Sequence, residues 1–270
     1  MSAASQTPPA QDCACPGYKN LLRLRVHHPP PRRALPPVLL FFHGGRFVSG
    51  DVEAEARARQ IADRLDAVVV VPAYSLAVES PFPAAIEDGY AALKWVEANA
   101  PVGGWSAGRV AVIGEEAGGN IAAAVAMMAR DRGGPQLVAQ VLISPMLDPT
   151  LSTQSMHAAG AAASAECGKA YQAYLPLCAD RTHPYAAPLL CSRLSNLPPA
   201  LIFSAEGDPL RDEAESYGAR LIAAGVKTQV VRLAQPGCCE QLWRDTIAFV
   251  APLLNPMRQS PAPNRANSSL

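Results

Sequence analysis

The run VAVIGEEAGGN, residues 110–120, poses the chemical question of this chain. Val110, Val112 and Ile113 favour a strand, Gly114 and Gly118 allow a sharp turn, and an alanine-rich, helix-favouring stretch follows. In the pattern Gly-x-Ser-x-Gly, a strand-turn-helix of this kind presents a serine hydroxyl for attack on a carbonyl. Here Glu116 stands where that serine would be. A carboxylate cannot do the serine's chemistry, although it can exchange protons. Two further runs carry reactive groups just past an apolar segment: HGGR at 43–46 and EGDPLRDE at 206–213.

The elements that must position these groups follow from periodicity. VLLFF (Val38–Phe42), AVVVV (67–71), VAVI (110–113), AQVLI (139–143), ALIFS (200–204) and TQVVRL (Thr228–Leu233) read as short strands bounded by turn residues. The first five are nearly continuous apolar runs, as strands covered on both faces should be. Helical spacing fills the gaps at 52–65, 83–99, 117–130 and 211–224, the last ending at Gly225. Alternating strand and helix predicts an α/β fold with a mostly parallel, doubly wound sheet and helices on both faces. Ligands in such sheets sit beyond the carboxyl ends of the strands, where all three reactive runs fall.

With those runs placed, residues 36–255 resemble the hormone-sensitive-lipase-like branch of α/β-hydrolase carboxylesterases, which includes the arylacetamide deacetylases. HGGRFVSGD (43–51) is similar to that family's oxyanion loop. PAYSLAVESPFPAAIEDGYAALKWV (72–96) is similar to its Y-R-L-A-P-E-x-P-F-P-A-A stretch. GEEAGGN (114–120) is similar to G-D-S-A-G-G-N, and residues 197–226 follow the segment that carries the catalytic acid. The resemblance implies an α/β-hydrolase fold. It places the nucleophile position on Glu116, the preceding aspartate on Glu115, the triad acid on Asp208 and the triad histidine on Glu240, or on Cys238 without a two-residue insertion. It also implies oxyanion donors at the amides of Gly45, Arg46 and Ala117, on a loop shaped by His43 and Gly44.

None of the five histidines (27, 28, 43, 157 and 183) follows Asp208, whereas the fold's order is nucleophile, acid, histidine. The expectation is therefore a carboxylesterase-like scaffold with a degenerate triad: a non-hydrolytic pseudoenzyme or small-ligand-binding protein. The alternative is a repurposed lyase, isomerase or cyclase in which Glu116 and Glu240 work as a general acid/base pair on a carbonyl compound. Ester hydrolysis by another route is the third reading. Glu116, Asp208 and Glu240 are expected within a few ångströms of one another, their repulsion relieved by a shared proton, a bound cation or Arg46. Glu115 reads as support for the loop, Arg211 and Asp212 as a pair at a helix start, and Tyr90 and Trp95 as core.

The 23 basic and 23 acidic residues balance, with no basic block for nucleic acid. At 49% hydrophobic and 17% charged, with no 18-residue apolar stretch, the chain reads as globular with no membrane span. Its expected partner is an apolar or carbonyl-containing small molecule. A partial cap at about 150–182 leaves a pocket open enough for a protein partner. No ligand spacing is diagnostic of a metal, and no cofactor is expected. Seven cysteines without C-x-x-C pairs suit reduced thiols, and the N-terminus carries no secretory pattern, so the expected location is cytoplasmic. Composition divides the chain into a disordered segment 1–17, one domain at 18–255 and a disordered tail 256–270.

Overall fold

A computed structural model describes residues 8–30, 35–235 and 239–254 of the chain. It contains one eight-stranded sheet in the order β1-β2-β4-β3-β5-β6-β7-β8. The strands are β1 (Gln11–Pro16), β2 (Leu21–His27), β3 (Val38–Phe42), β4 (Val68–Pro72), β5 (Val110–Glu115), β6 (Leu137–Ile143), β7 (Ala200–Ala205) and β8 (Thr228–Leu233). β1, β2 and β4 pair antiparallel in succession, and all pairs from β4 to β8 are parallel.

The helices are α1 (Ala54–Leu65), α2 (Ala84–Ala98), the short α3 (Ala100–Gly103), α4 (Ala117–Asp131), α5 (Gln154–Ala158), α6 (Gly160–Tyr174), α7 (Arg211–Ala223) and α8 (Glu240–Leu254). Strand alternation divides the core in two. Val38, Leu40, Val70, Val112 and Ile202 face one layer with α2, α4 and α7. Leu39, Phe41, Val69, Ile113 and Phe203 face the other with α1 and α8. Both faces of β3, β4 and β5 are thus apolar because both are covered, which is why their sequences run without polar interruption.

Two parts of the sequence reading need correction. Residues 11–16, assigned by composition to a disordered segment, form β1, which runs in register along β2 from Gln11↔Val26 to Pro16↔Leu21. β2 was also not foreseen. Its alternation of exposed Leu21, Arg23 and half-buried Arg25 with buried Leu22, Leu24 and Val26 is that of a half-buried antiparallel strand. The buried Asp88 side chain on α2 ties this addition down, accepting from the Tyr18 amide at 2.7 Å, the Ser75 amide at 2.8 Å and Ser75 Oγ at 2.6 Å. The tail 256–270 and Cys238 lie outside the described residues.

Candidate functional site

The turn between β5 and α4 is as tight as the sequence pattern demands. A Cβ at Gly114 would run into the Gly118 carbonyl, and one at Gly118 into the Phe42 carbonyl, so strand, turn and helix close only with glycine there. Glu116 sits at the tip with φ 53° and ψ −112°, a left-handed conformation that costs a non-glycine residue about 1–3 kcal/mol. Neighbouring loops hold it there. Its amide donates to the Ile143 carbonyl at 2.9 Å, and its carbonyl accepts from the Met146 amide at 3.0 Å.

The Glu116 side chain reaches the oxyanion loop. Oε2 accepts from the Gly45 amide at 2.9 Å and the Arg46 amide at 3.0 Å, while Oε1 lies 3.4 Å from Arg46 Nε. Two aligned backbone dipoles and a guanidinium converge on one carboxylate. Gly44 leaves room for it, since a Cβ at that residue would lie 3.2 Å from Oε2. Gly45 adopts φ 109° and Arg46 φ 52°, which turn their amides inward. Ala117 is fully buried as the first residue of α4, where the amide has no acceptor within the helix by position.

His43 shapes this loop. Its Nδ1 donates to the Gly44 carbonyl at 2.6 Å, its ring stacks on Tyr74 at 4.5 Å, and the Tyr74 hydroxyl donates to the His43 carbonyl at 2.9 Å. Burial lowers the imidazole's pKa, so the ring is neutral near pH 7. Glu115 points the other way and pairs with Arg57 Nε at 3.1 Å, which fits the supporting role read from the sequence.

Helix α6 covers the loop from above. Arg46 Nη1 binds Glu166 of α6 at 2.7 Å, and Phe47 stacks on Tyr174 of the same helix at 3.9 Å. Cys167 lies close enough to feel the charges of Arg46, Glu213, Glu116 and Asp208, and burial pushes its thiol up to about 11. The Glu116 and Arg46 side chains stay 29% and 44% exposed, so the site is open to water beside α6.

Asp208 is buried past the end of β7. Its Oδ1 accepts from the Leu210 amide at 2.9 Å, and its Oδ2 from Ser144 Oγ at 2.5 Å. Ser144 was missed in the sequence. It is the first residue beyond β6, at φ 42°, and its position at a strand's carboxyl end was the available clue. Glu213, inside the quoted EGDPLRDE run, was also passed over. It is buried on α7, accepts from the Leu147 and Asp148 amides at 2.8 and 2.5 Å, and is held well above the usual carboxylate range by burial. Arg211 and Asp212 pair at 2.9 Å at the start of α7, as expected, and Asp212 also accepts from the Ser155 amide of α5.

Glu240 departs from the expectation. It opens α8 on the surface, and both its carboxylate oxygens bind Arg64 of α1, at 2.8 and 3.1 Å. With its side chain 78% exposed, it is not part of the cluster around Glu116. The cause is local: the chain enters α8 at this residue, where a helix N-terminus favours a carboxylate and Arg64 supplies a cation. The expected crowding of three acids gives way to Glu116 neutralised by donors and Asp208 tied to Ser144. The paired-carboxylate reading of Glu116 with Glu240 is withdrawn. Of the three forms of relief considered, Arg46 is the one the geometry provides.

Comparison with known proteins corrects the functional expectation. Esterase LipI of Mycobacterium tuberculosis is 42% identical over 198 residues, covering 72% of this chain and 62% of the relative. Carboxylesterase NlhH of the same organism is 40% identical over 223 residues, covering 79% and 70%. The hyperthermophilic esterase of Pyrobaculum calidifontis superposes with a TM-score of 0.84 at 37% identity, covering 93% of this chain and 87% of its own. Esterases at this similarity overturn the expectation of a non-hydrolytic pseudoenzyme. The family described as alpha/beta hydrolase fold matches residues 39–237, which take in the parallel strands from β4 to β8, nearly all of β3, the elbow and the oxyanion loop but not β1 and β2. The chain belongs to the alpha/beta hydrolase fold family.

Proposed function

We propose that the chain hydrolyses small carboxylic esters, with the Glu116 carboxylate as general base in place of a nucleophilic hydroxyl. Support comes from the esterases it resembles and from Glu116 at the elbow tip, 2.9 and 3.0 Å from the Gly45 and Arg46 amides. The observation that carries the reading is that these two amides already hold a carboxylate oxygen, so they can hold the oxygen of an ester carbonyl.

In the proposed reaction the ester carbonyl takes the Gly45 and Arg46 amides, with Ala117 as third donor, and Glu116 turns towards Arg46. A water between Glu116 and the carbonyl carbon gives its proton to the carboxylate as its oxygen attacks. The tetrahedral intermediate then collapses, the carbon–oxygen bond to the alcohol breaks, and the Glu116 proton passes to the leaving alkoxide. Acid and alcohol depart, and the carboxylate is restored. No histidine is needed, because one group accepts and returns the same proton. Arg46 holds Glu116 in reach, and Asp208 with Ser144 orders the neighbouring loop.

A positioned base contributes about 10²–10⁴-fold, and oxyanion donors without a triad sustain about 10³–10⁴-fold over water. The expected enzyme is slow, well below a serine-based one. Purified protein with p-nitrophenyl butyrate at neutral pH should show saturable turnover at least about 10³-fold above buffer. Turnover indistinguishable from buffer across short acyl chains would remove the proposal. We also infer a cytoplasmic location, for which the support is that the six described cysteines are all free thiols.

A further inference from the structure

A cleft separate from the reactive site opens at the carboxyl end of α4, against the loop 183–193. It holds about 380 Å³ and is walled by Arg130, Asp131, His183, Tyr185, Ser192 and Arg193 among others. Glu116, Asp208 and the loop 43–46 are not in its wall.

The wall carries one positive charge in excess, two arginines against one aspartate. Asp131 is matched three times: it accepts from Arg130 Nε at 2.8 Å, Arg193 Nη2 at 3.0 Å and the Tyr185 hydroxyl at 2.9 Å. Its neighbour Arg132 leaves the balance unchanged, because Glu87 takes it at 2.6 and 2.8 Å. Arg130 is turned to the protein, its Nη1 donating to the Arg193 and Ser195 carbonyls at 2.9 Å each. Arg193 is different. Only its Nη2 is engaged, and among the described residues its Nε and Nη1 meet no acceptor. Asp131 thus holds the Arg193 guanidinium in place while charged donors stay free for an incoming anion.

The rest of the wall adds a donor and a flat apolar surface. His183 Nδ1 accepts from the Tyr185 amide at 3.2 Å, so the ring proton sits on Nε2 as a further donor. The His183 and Tyr185 rings stand edge to face, 5.2 Å apart, on the same wall as Arg193. A single excess cation selects a monoanion, and paired rings favour an aromatic body over an aliphatic one.

We propose that this cleft binds a small aromatic monocarboxylate, its carboxylate on Arg193 and its ring against His183 and Tyr185. The site stands apart from the ester chemistry, since no group of the reactive centre takes part in it.

The test is calorimetric titration of the full chain with benzoate. Cyclohexanecarboxylate, which keeps the charge without the flat ring, and benzyl alcohol, which keeps the ring without the charge, are titrated beside it. Benzoate should bind saturably, at least about tenfold tighter than benzyl alcohol and about threefold tighter than cyclohexanecarboxylate. Arg193→Ala should weaken benzoate at least about tenfold. Ser192→Glu should abolish binding by cancelling the excess charge; both residues are exposed, so the fold is kept. Proton NMR should show ring-current shifts at His183 on benzoate addition that cyclohexanecarboxylate does not produce. Benzoate no tighter than either comparator, or binding that survives Ser192→Glu, would overturn the proposal. So would equal binding by Arg193→Ala and wild type, the result expected of benzoate held by the Gly45 and Arg46 amides, or no saturation up to about 50 mM.

Discussion

Removing the Glu116 carboxylate should destabilise the protein, although this residue sits in a strained turn. Its Oε2 accepts two amide hydrogens at 2.9 and 3.0 Å, and Arg46 Nε stands 3.4 Å from Oε1. Hydrogen bonds to a charged group contribute about 1.5–3 kcal/mol each. The side chain is 29% exposed, and water can reach the vacated amides, so the lower end applies and part of the loss is recovered. Glu116→Ala should therefore cost about 2 kcal/mol, or about 4 °C in Tm for a domain of this size. Glu116→Gln keeps an oxygen for the amides but loses the charge facing Arg46, and should cost about half as much. Backbone strain at φ 53° is the same in all three chains and does not enter the difference. Scanning calorimetry of the wild type and both variants, at one pH and salt concentration, measures the effect. A rise in Tm on removing the charge would mean that repulsion between acids governs the turn, and the donor-based account of the site would fail.

Three other outcomes follow from the same geometry. Burial holds Glu213 well above its ordinary 4.5, so the folded chain keeps a proton that the unfolded chain releases above that pH. Its contribution is full below pH 4.5 and is lost as pH rises towards the folded value. Glu213→Gln, which preserves the acceptor for the Leu147 and Asp148 amides, should flatten urea-derived stability between pH 5 and 8 and gain most at pH 8; an unchanged slope would contradict this. Asp88→Ala strands the amides of Tyr18 and Ser75 and should cost about 3 kcal/mol, seen as earlier proteolysis of the β1–β2 hairpin; a loss below about 0.5 kcal/mol would show that the hairpin is held by its strand pairing alone. Glu240→Ala should leave ester turnover within about twofold of wild type, because its carboxylate faces Arg64, and a tenfold drop would return Glu240 to the reactive site.

The parallel half of the sheet was legible because burial on both faces writes itself as unbroken apolar runs. All six expected strands appear within a few residues of their sequence bounds. β1 and β2 were not legible: an edge hairpin buries one side only, and residues 11–16 mix Cys, Asp and Pro without a strong period. At the site, Glu116, Asp208 and the oxyanion loop could be placed because glycine spacing fixes the turns. Glu240 could not. Sequence order gave its position after Asp208, but whether a carboxylate turns to the site or to Arg64 depends on where α8 begins and on a helix 176 residues earlier in the chain. Ser144 and Glu213 escaped for a related reason, since their roles come from partners distant in sequence.

The functional correction has a physical lesson. A replaced nucleophile was read as lost catalysis, but backbone amides survive side-chain replacement, and proteins 40 and 42% identical to this chain are esterases. A carboxylate held by those amides is a different reagent in the same cradle.

The most direct test of the central claim is kcat/KM for p-nitrophenyl butyrate in wild type and Glu116→Ala, each shown folded by its thermal transition. The account predicts a drop of about 10²–10³-fold carried by kcat, with KM little changed. A Glu116→Ala enzyme as fast as wild type would show that another group activates water, and the assignment of Glu116 would be wrong.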